Sequence, residues 1–228
     1  MSENALATSA PSASIGFLSL PVELRDIIYK QVLILLRPVY LFQDRGGPLG
    51  SFIPGKPSQW RALLYVSRQI SDEARVVLYS SNQFNIQEVP TKYDQGRVLR
   101  SFLDCIGPTN TRLLSRLCVN FPATEKVEGQ EGKIRLREDA LQWLQLLQRE
   151  CPNLKTLETL VYSNDSSELI EERDSTQLVR DVLLGIDGQF RAIASLDRII
   201  VRVTSGTPSP SVKEFLQGLG WAVFGRGQ

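Results

Sequence analysis

From Gly96 onward, short apolar runs alternate with amphipathic stretches, and that order leaves few folds open. Leu117 to Phe121, Leu157 to Tyr162 and Leu196 to Val203 read as strands, and a last one is expected at Trp221 to Phe224. Their centres, Val119, Leu160 and Val201, are each 41 residues apart. Between the first two lies a helix near Glu138 to Cys151 with Leu141, Leu144 and Leu147 on one side, ended by Pro152-Asn153. The next helix carries Leu178, Val179, Val182, Leu183 and Ile186, and is expected to end or bend at Gly185 or Gly188. Strands separated by helices pair in parallel through right-handed crossovers. The expectation is a small sheet of three or four strands with helices on at least one face. A helix over Val98 to Ile106 is expected to stop at Gly107-Pro108, and Ser211 with Glu214 fits a capping box for a final helix. Thr124 to Arg137 and Asn164 to Ser175 are charged or polar and read as solvated loops. The carboxylates Glu168, Glu171, Glu172 and Asp174 belong to that second loop, where nothing desolvates them enough for acid–base work.

The amino-terminal half is organised differently. A helix is expected from Pro21, at the first helical position, to about Leu36, with Ser19 as its N-cap. Leu24, Ile27, Ile28 and Leu35 share one side of it, and Val22, Tyr29, Leu33 and Leu36 the nearly opposite side. A helix with two apolar sides needs two covers, either both from its own chain or one from another protein. Arg25, Arg68 and Arg75 have internal partners within reach in Asp26, Asp72 and Glu73. Val39 to Phe42 suggests a short strand, and the Gly- and Pro-rich segment 45–57 a loop or insertion. Within that segment Gly50, Gly55 and Lys56 have phosphate-loop spacing. Pro57 replaces the required hydroxyl, and Pro54 and Pro57 lack the N–H groups that cradle phosphate, so nucleotide binding is not expected. Helical spacing resumes near Ser58 through Leu63, Val66, Ile70, Ala74 and Val77, with Ser71-Asp72-Glu73 able to start a second short helix. Asn82 to Ile86 reads as a strand.

Several function classes are disfavoured. Lys and Arg total 26 against 25 Asp and Glu, a net charge of +1, so there is no field to gather nucleic acid. The longest apolar run is Val32 to Leu36, far short of the ~20 residues of a membrane span. There is no histidine, which removes the usual general base and the commonest metal ligand. Cys105, Cys118 and Cys151 are irregularly spaced in apolar surroundings and read as buried, reduced thiols of an intracellular protein, cytoplasmic or nuclear. No metal or cofactor is expected. Residues 1–16 read as a disordered tail without signal-peptide character, so the sequon at Asn164 is expected to stay unmodified.

Leu20-Pro21-x-Glu23-Leu24, then Ile28, resembles the opening of an F-box, and Leu64-x-Val66-Ser67-Arg68-Gln69 its later helix. The longer strings Glu23 to Tyr29, Val66 to Ala74 and Leu78 to Phe84 resemble a group of filamentous-fungal F-box-like proteins, mostly uncharacterised. The resemblance covers about 17–86; a Gly/Pro-rich insertion separates its two parts, and Ile70 stands where many F-boxes have Trp. The helix-to-strand turn Cys151 to Leu157 is similar to that of a leucine-rich repeat. Together these imply an α+β protein: F-box-like helices over 17–86 packed on a leucine-rich-repeat-like, mostly parallel βα sheet over 96–228. They imply a non-catalytic interaction protein, a substrate-recruiting subunit of a cullin–RING ubiquitin ligase, with the ligase adaptor and an unidentified substrate as protein partners. Leu20, Pro21, Leu24, Ile28 and Val66 would dock the adaptor. The alternatives are an F-box-derived scaffold that no longer binds the adaptor, and an enzyme of unrecognised type.

Overall fold

The structure is a computed structural model and describes residues 16–44, 46–56, 58–86, 96–127, 129, 134–162, 177–204 and 208–225. A 3₁₀ turn (Phe17–Ser19) leads into α1 (Val22–Leu33), then β1 (Val39–Gln43), β2 (Leu49–Phe52), a 3₁₀ segment (Ser58–Tyr65), α2 (Arg68–Ser81) and β3 (Gln83–Ile86). The rest runs α3 (Arg97–Thr111), β4 (Arg116–Asn120), β5 (Thr124–Lys126), β6 (Ile134–Leu136), α4 (Glu138–Glu150), β7 (Thr156–Val161), α5 (Gln177–Arg191), β8 (Arg198–Val203), α6 (Pro210–Gly218) and β9 (Ala222–Phe224).

Seven strands form one sheet in the order β2-β1-β3-β4-β7-β8-β9. All neighbours are parallel except β2, which runs antiparallel to β1 at the edge. From β1 to β9 the order only advances, and right-handed crossovers that always advance the same way place every connecting helix on the same face. The core obeys this. Val39 and Leu41, Leu117 and Val119, Leu157 and Val161, and Ile199, Val201 and Val203 meet Phe102, Trp143, Leu183 and Phe190 in one cluster. The intervening strand residues point to the second face, where Gln83 donates to Glu158 and Arg202 pairs with it.

The sheet is mostly parallel as expected but wider than the three or four strands expected, and the fold is mixed α/β. The reason lies in the amino-terminal half: β1 and β3 continue the same parallel ladder, so 17–86 supplies three strands as well as helices. The Gly/Pro-rich segment is not only loop, because β2 lies within it. Gly50 is explained by packing: a Cβ there would stand 2.5 Å from Cζ of Phe42, whose ring covers the strand. Thr124 to Arg137 holds the β5–β6 hairpin, with Ile134 and Leu136 packed on the core. The helix expected to stop at Gly107-Pro108 resumes after one non-helical residue, Gly107 at φ 75°, and runs to Thr111. Neither Gly185 nor Gly188 breaks α5. The cap of α6 is Ser209, whose hydroxyl accepts from Val212 N–H, instead of Ser211. Cys118 and Cys151 are buried free thiols as expected, but Cys105, on α3, is exposed. The expected loop at 164–175 and the tail at 1–15 lie outside the described residues.

Candidate protein-docking surface

α1 and α2 form a small core of their own from Tyr29, Leu33, Ile70, Ala74 and Val77. α1 buries Arg25, Tyr29 and Leu33, spaced every four residues and so on one stripe. The other stripe stays open: Leu24 is 47% exposed and Ile27 51%, with Ile28 half-buried between them. The helix starts one residue later than expected, with Pro21 at the N-cap, and ends at Leu33. Ser19 is not the cap; its hydroxyl donates to the Gly16 carbonyl. At the far end Leu36, counted on the buried stripe, lies past the helix and is fully exposed.

The choice of buried stripe rests on a polar network. The Arg25 guanidinium donates through Nε to Glu73 Oε2 at 2.9 Å and through Nη2 to Glu73 Oε1 at 2.7 Å. Its Nη1 turns the other way and donates to the carbonyls of Leu18 and Leu20. A single planar fork therefore ties the Leu18–Pro21 turn to α1 and both to α2. Tyr29 OH donates to Glu73 at 2.9 Å, and Gln69 adds another bond at 3.0 Å. The hydrogen bond from Arg25, then that from Gln69, holds the Glu73 carboxyl down at about 2. Burial, then the hydrogen bond to Glu73, pushes the Tyr29 phenol up to about 12. A carboxyl with a depressed folded pKa contributes stability above its unfolded value, and that contribution fades as pH falls toward the folded one. The denaturation midpoint is therefore expected to decline from about pH 4.5 down to about 2, by more in the wild type than in Glu73→Gln. Parallel acid profiles of the two proteins would refute the network's role.

Asn82 closes the other end of the helix pair. It is 2% exposed and C-caps α2. Its Nδ2 donates to Leu33 O at 2.8 Å and Leu78 O at 2.9 Å, and its Oδ1 accepts from Leu35 N–H at 2.8 Å. The start of α2 is capped by Ser67, whose hydroxyl accepts from Ile70 N–H, so the corner falls at Val66–Ser67 and not at Ser71.

The five residues expected to dock a partner are thus placed as follows. Pro21 and Leu24 are exposed and Leu20 and Ile28 half-buried, all on the turn and the open side of α1. Val66 is 63% exposed but stands away from α1, at the corner between the 3₁₀ segment and α2. Ile27 and Leu18, each more than 40% exposed, enlarge the apolar surface beyond the expected set, while Val22, also exposed, lies on the other side of the helix. The Arg25–Glu73 pair is one of the internal ion pairs expected from the sequence; the missed residue is Asn82, for whose partners more than 40 residues away the surrounding run held no local signal. Among the described residues no group of three or more His, Cys, Asp or Glu is placed to hold a metal ion, and no helix is long and apolar enough to cross a membrane. No family model matches this chain, and neither a curated protein nor a solved structure matches it.

Proposed function

We propose that this chain is a non-catalytic F-box-like interaction protein that recruits a substrate to a cullin–RING ubiquitin ligase, docking the adaptor through the open side of α1. The observation that carries the reading is the Leu24–Ile27–Ile28 stripe, left uncovered while Arg25 holds the Leu20–Pro21 turn in line with it. Contiguous apolar surface of this kind, beside polar side chains such as Glu23 and Lys30, is the mark of a protein contact. The recruited substrate has a second surface available. Tyr40 and Phe52 stack at 5.1 Å on the far sheet face, and Phe42 and Phe52 are both more than 40% exposed there. Aromatic anchors of this type dominate many interfaces.

Co-purification with the ligase adaptor tests the reading. Burying a large aliphatic side chain contributes ~1.5–3 kcal/mol, so Leu24→Ala with Ile28→Ala is expected to weaken adaptor binding roughly 100-fold. Leu24 is exposed and Ile28 half-buried, so folding stability should move by no more than ~1–2 kcal/mol. A wild-type chain that leaves the adaptor unbound would end the ligase reading. A scaffold that no longer binds the adaptor is the second reading, favoured by the half-burial of Leu20 and Ile28 within the chain itself.

A further inference from the structure

A cavity of about 400 Å³ opens between the β2-β1-β3 edge of the sheet, the 3₁₀ segment, α2 and α3. At this edge the 3₁₀ segment (Ser58–Tyr65) stands beside α2 in the connection that leads to β3. The floor is apolar: Val39, Leu41, Leu78, Phe84 and Phe102 line it and all are buried. The wall is polar in only a few places. Arg61 and Arg75 line the cavity, both are exposed, and neither has an ion-pair partner among the described residues. Burial pushes the Tyr79 phenol up, and the Arg75 and Arg61 charges both pull it the other way. Asn110 adds an amide, and the exposed Cys105 thiol stands on the same wall.

The volume is that of a small-molecule site, for which ~300–1,000 Å³ is usual, and an apolar chamber with a few convergent polar groups is its usual chemistry. The sign of the polar part selects the ligand. Two guanidinium groups, outside any ion pair among the described residues and one of them over the Trp60 ring, offer donors in planar forks, whose natural complement is a carboxylate. No described acidic side chain lines the cavity to oppose an anion. We infer that this cavity binds a small amphipathic carboxylate, its apolar body against the partly exposed Leu49, Trp60, Leu64 and Ile106 and its head group on Arg61 and Arg75. The site is independent of the α1 stripe and stands whether or not the chain binds a ligase adaptor.

Cys105 supplies the readout. Cys118 and Cys151 are buried, and burial pushes both thiols up, Cys151 to about 12, so Cys105 alone should react with iodoacetamide in the native protein. Decanoate is expected to slow that alkylation saturably, at least fivefold, and to bind about tenfold more tightly than 1-decanol, which has the chain without the charge. Acetate, the charge without the chain, should give no protection. The double variant Arg61→Gln, Arg75→Gln should fold as the wild type does, both side chains being exposed and outside any described ion pair, and should lose the preference for decanoate over decanol. Calorimetric titration with decanoate gives a second reading that does not depend on the thiol. No protection and no heat from decanoate, equal binding of decanol, or an unchanged preference in the double variant would each overturn the assignment.

Discussion

Replacing Asn82 by alanine is expected to destabilise the protein by about 3–5 kcal/mol, a loss seen as a fall of roughly 6–20 °C in melting temperature for a chain of this size. The side chain uses both amide hydrogens and its oxygen on three backbone groups: the last carbonyl of α1, the Leu78 carbonyl in α2 and the Leu35 amide beyond α1. Deleting it leaves those groups unpaired in a site with little access to water, and each buried orphan costs ~1–3 kcal/mol. Asn82→Asp separates hydrogen bonding from packing. Aspartate has the same shape and keeps the acceptor for Leu35, but it loses both donors and sets a charged oxygen against two carbonyls. It should therefore be no better than alanine. Urea denaturation with unchanged m-values would report the loss as stability. A variant pair within ~0.5 kcal/mol of wild type would mean that α1 is held without this latch. The prediction bears on function, because Asn82 and the Arg25–Glu73 pair hold opposite ends of the helix that presents the open stripe.

Trp143→Ala should cost about 3–5 kcal/mol, the range for deleting a fully buried aromatic side chain. Trp143 is 1% exposed on the inner side of α4 and belongs to the main core. Its ring lies against Gly96, which precedes α3 at φ 94°, and a Cβ at position 96 would stand only 2.5 Å from the Trp143 Cβ. The two backbones are therefore too close to relax easily into the void. Trp143→Phe is expected to lose less than half as much. The phenyl ring keeps most of the contact area, and the change removes an indole N–H that is buried without a partner among the described residues. Gly96→Ala should also be destabilising, and Trp143→Ala should not rescue it, because alanine keeps the Cβ that the new side chain would meet. Thermal denaturation of the three single variants and the double variant checks this ordering. Full rescue in the double variant would place the conflict in the indole ring instead.

Much of the sheet was legible because burial leaves a local trace. Val119, Leu160 and Val201 sit in short apolar runs with helices between them, and β4, β7 and β8 fall within two residues of where those runs predict them. β2 left no such trace. Its four residues, Leu49-Gly50-Ser51-Phe52, are strand only because β1 supplies hydrogen-bond partners across a turn, and its glycine makes room for Phe42. Cys105 misled for a similar reason: apolar neighbours in sequence do not bury a residue whose side of the helix lines an open cavity.

Alone, the order of residues determined that strands alternate with helices, that the crossovers run one way, and that α1 carries apolar side chains on two sides. These follow from periodicities of two and 3.6 residues, which act over a few positions. Which side of α1 is covered was decided only by the tertiary structure. Arg25 and Tyr29 meet Glu73 across 48 and 44 residues, and Leu33 meets Asn82 across 49. Local spacing carries no record of such distant polar pairings, yet their need for buried hydrogen-bond partners turns one stripe inward and leaves Leu24, Ile27 and Ile28 facing out.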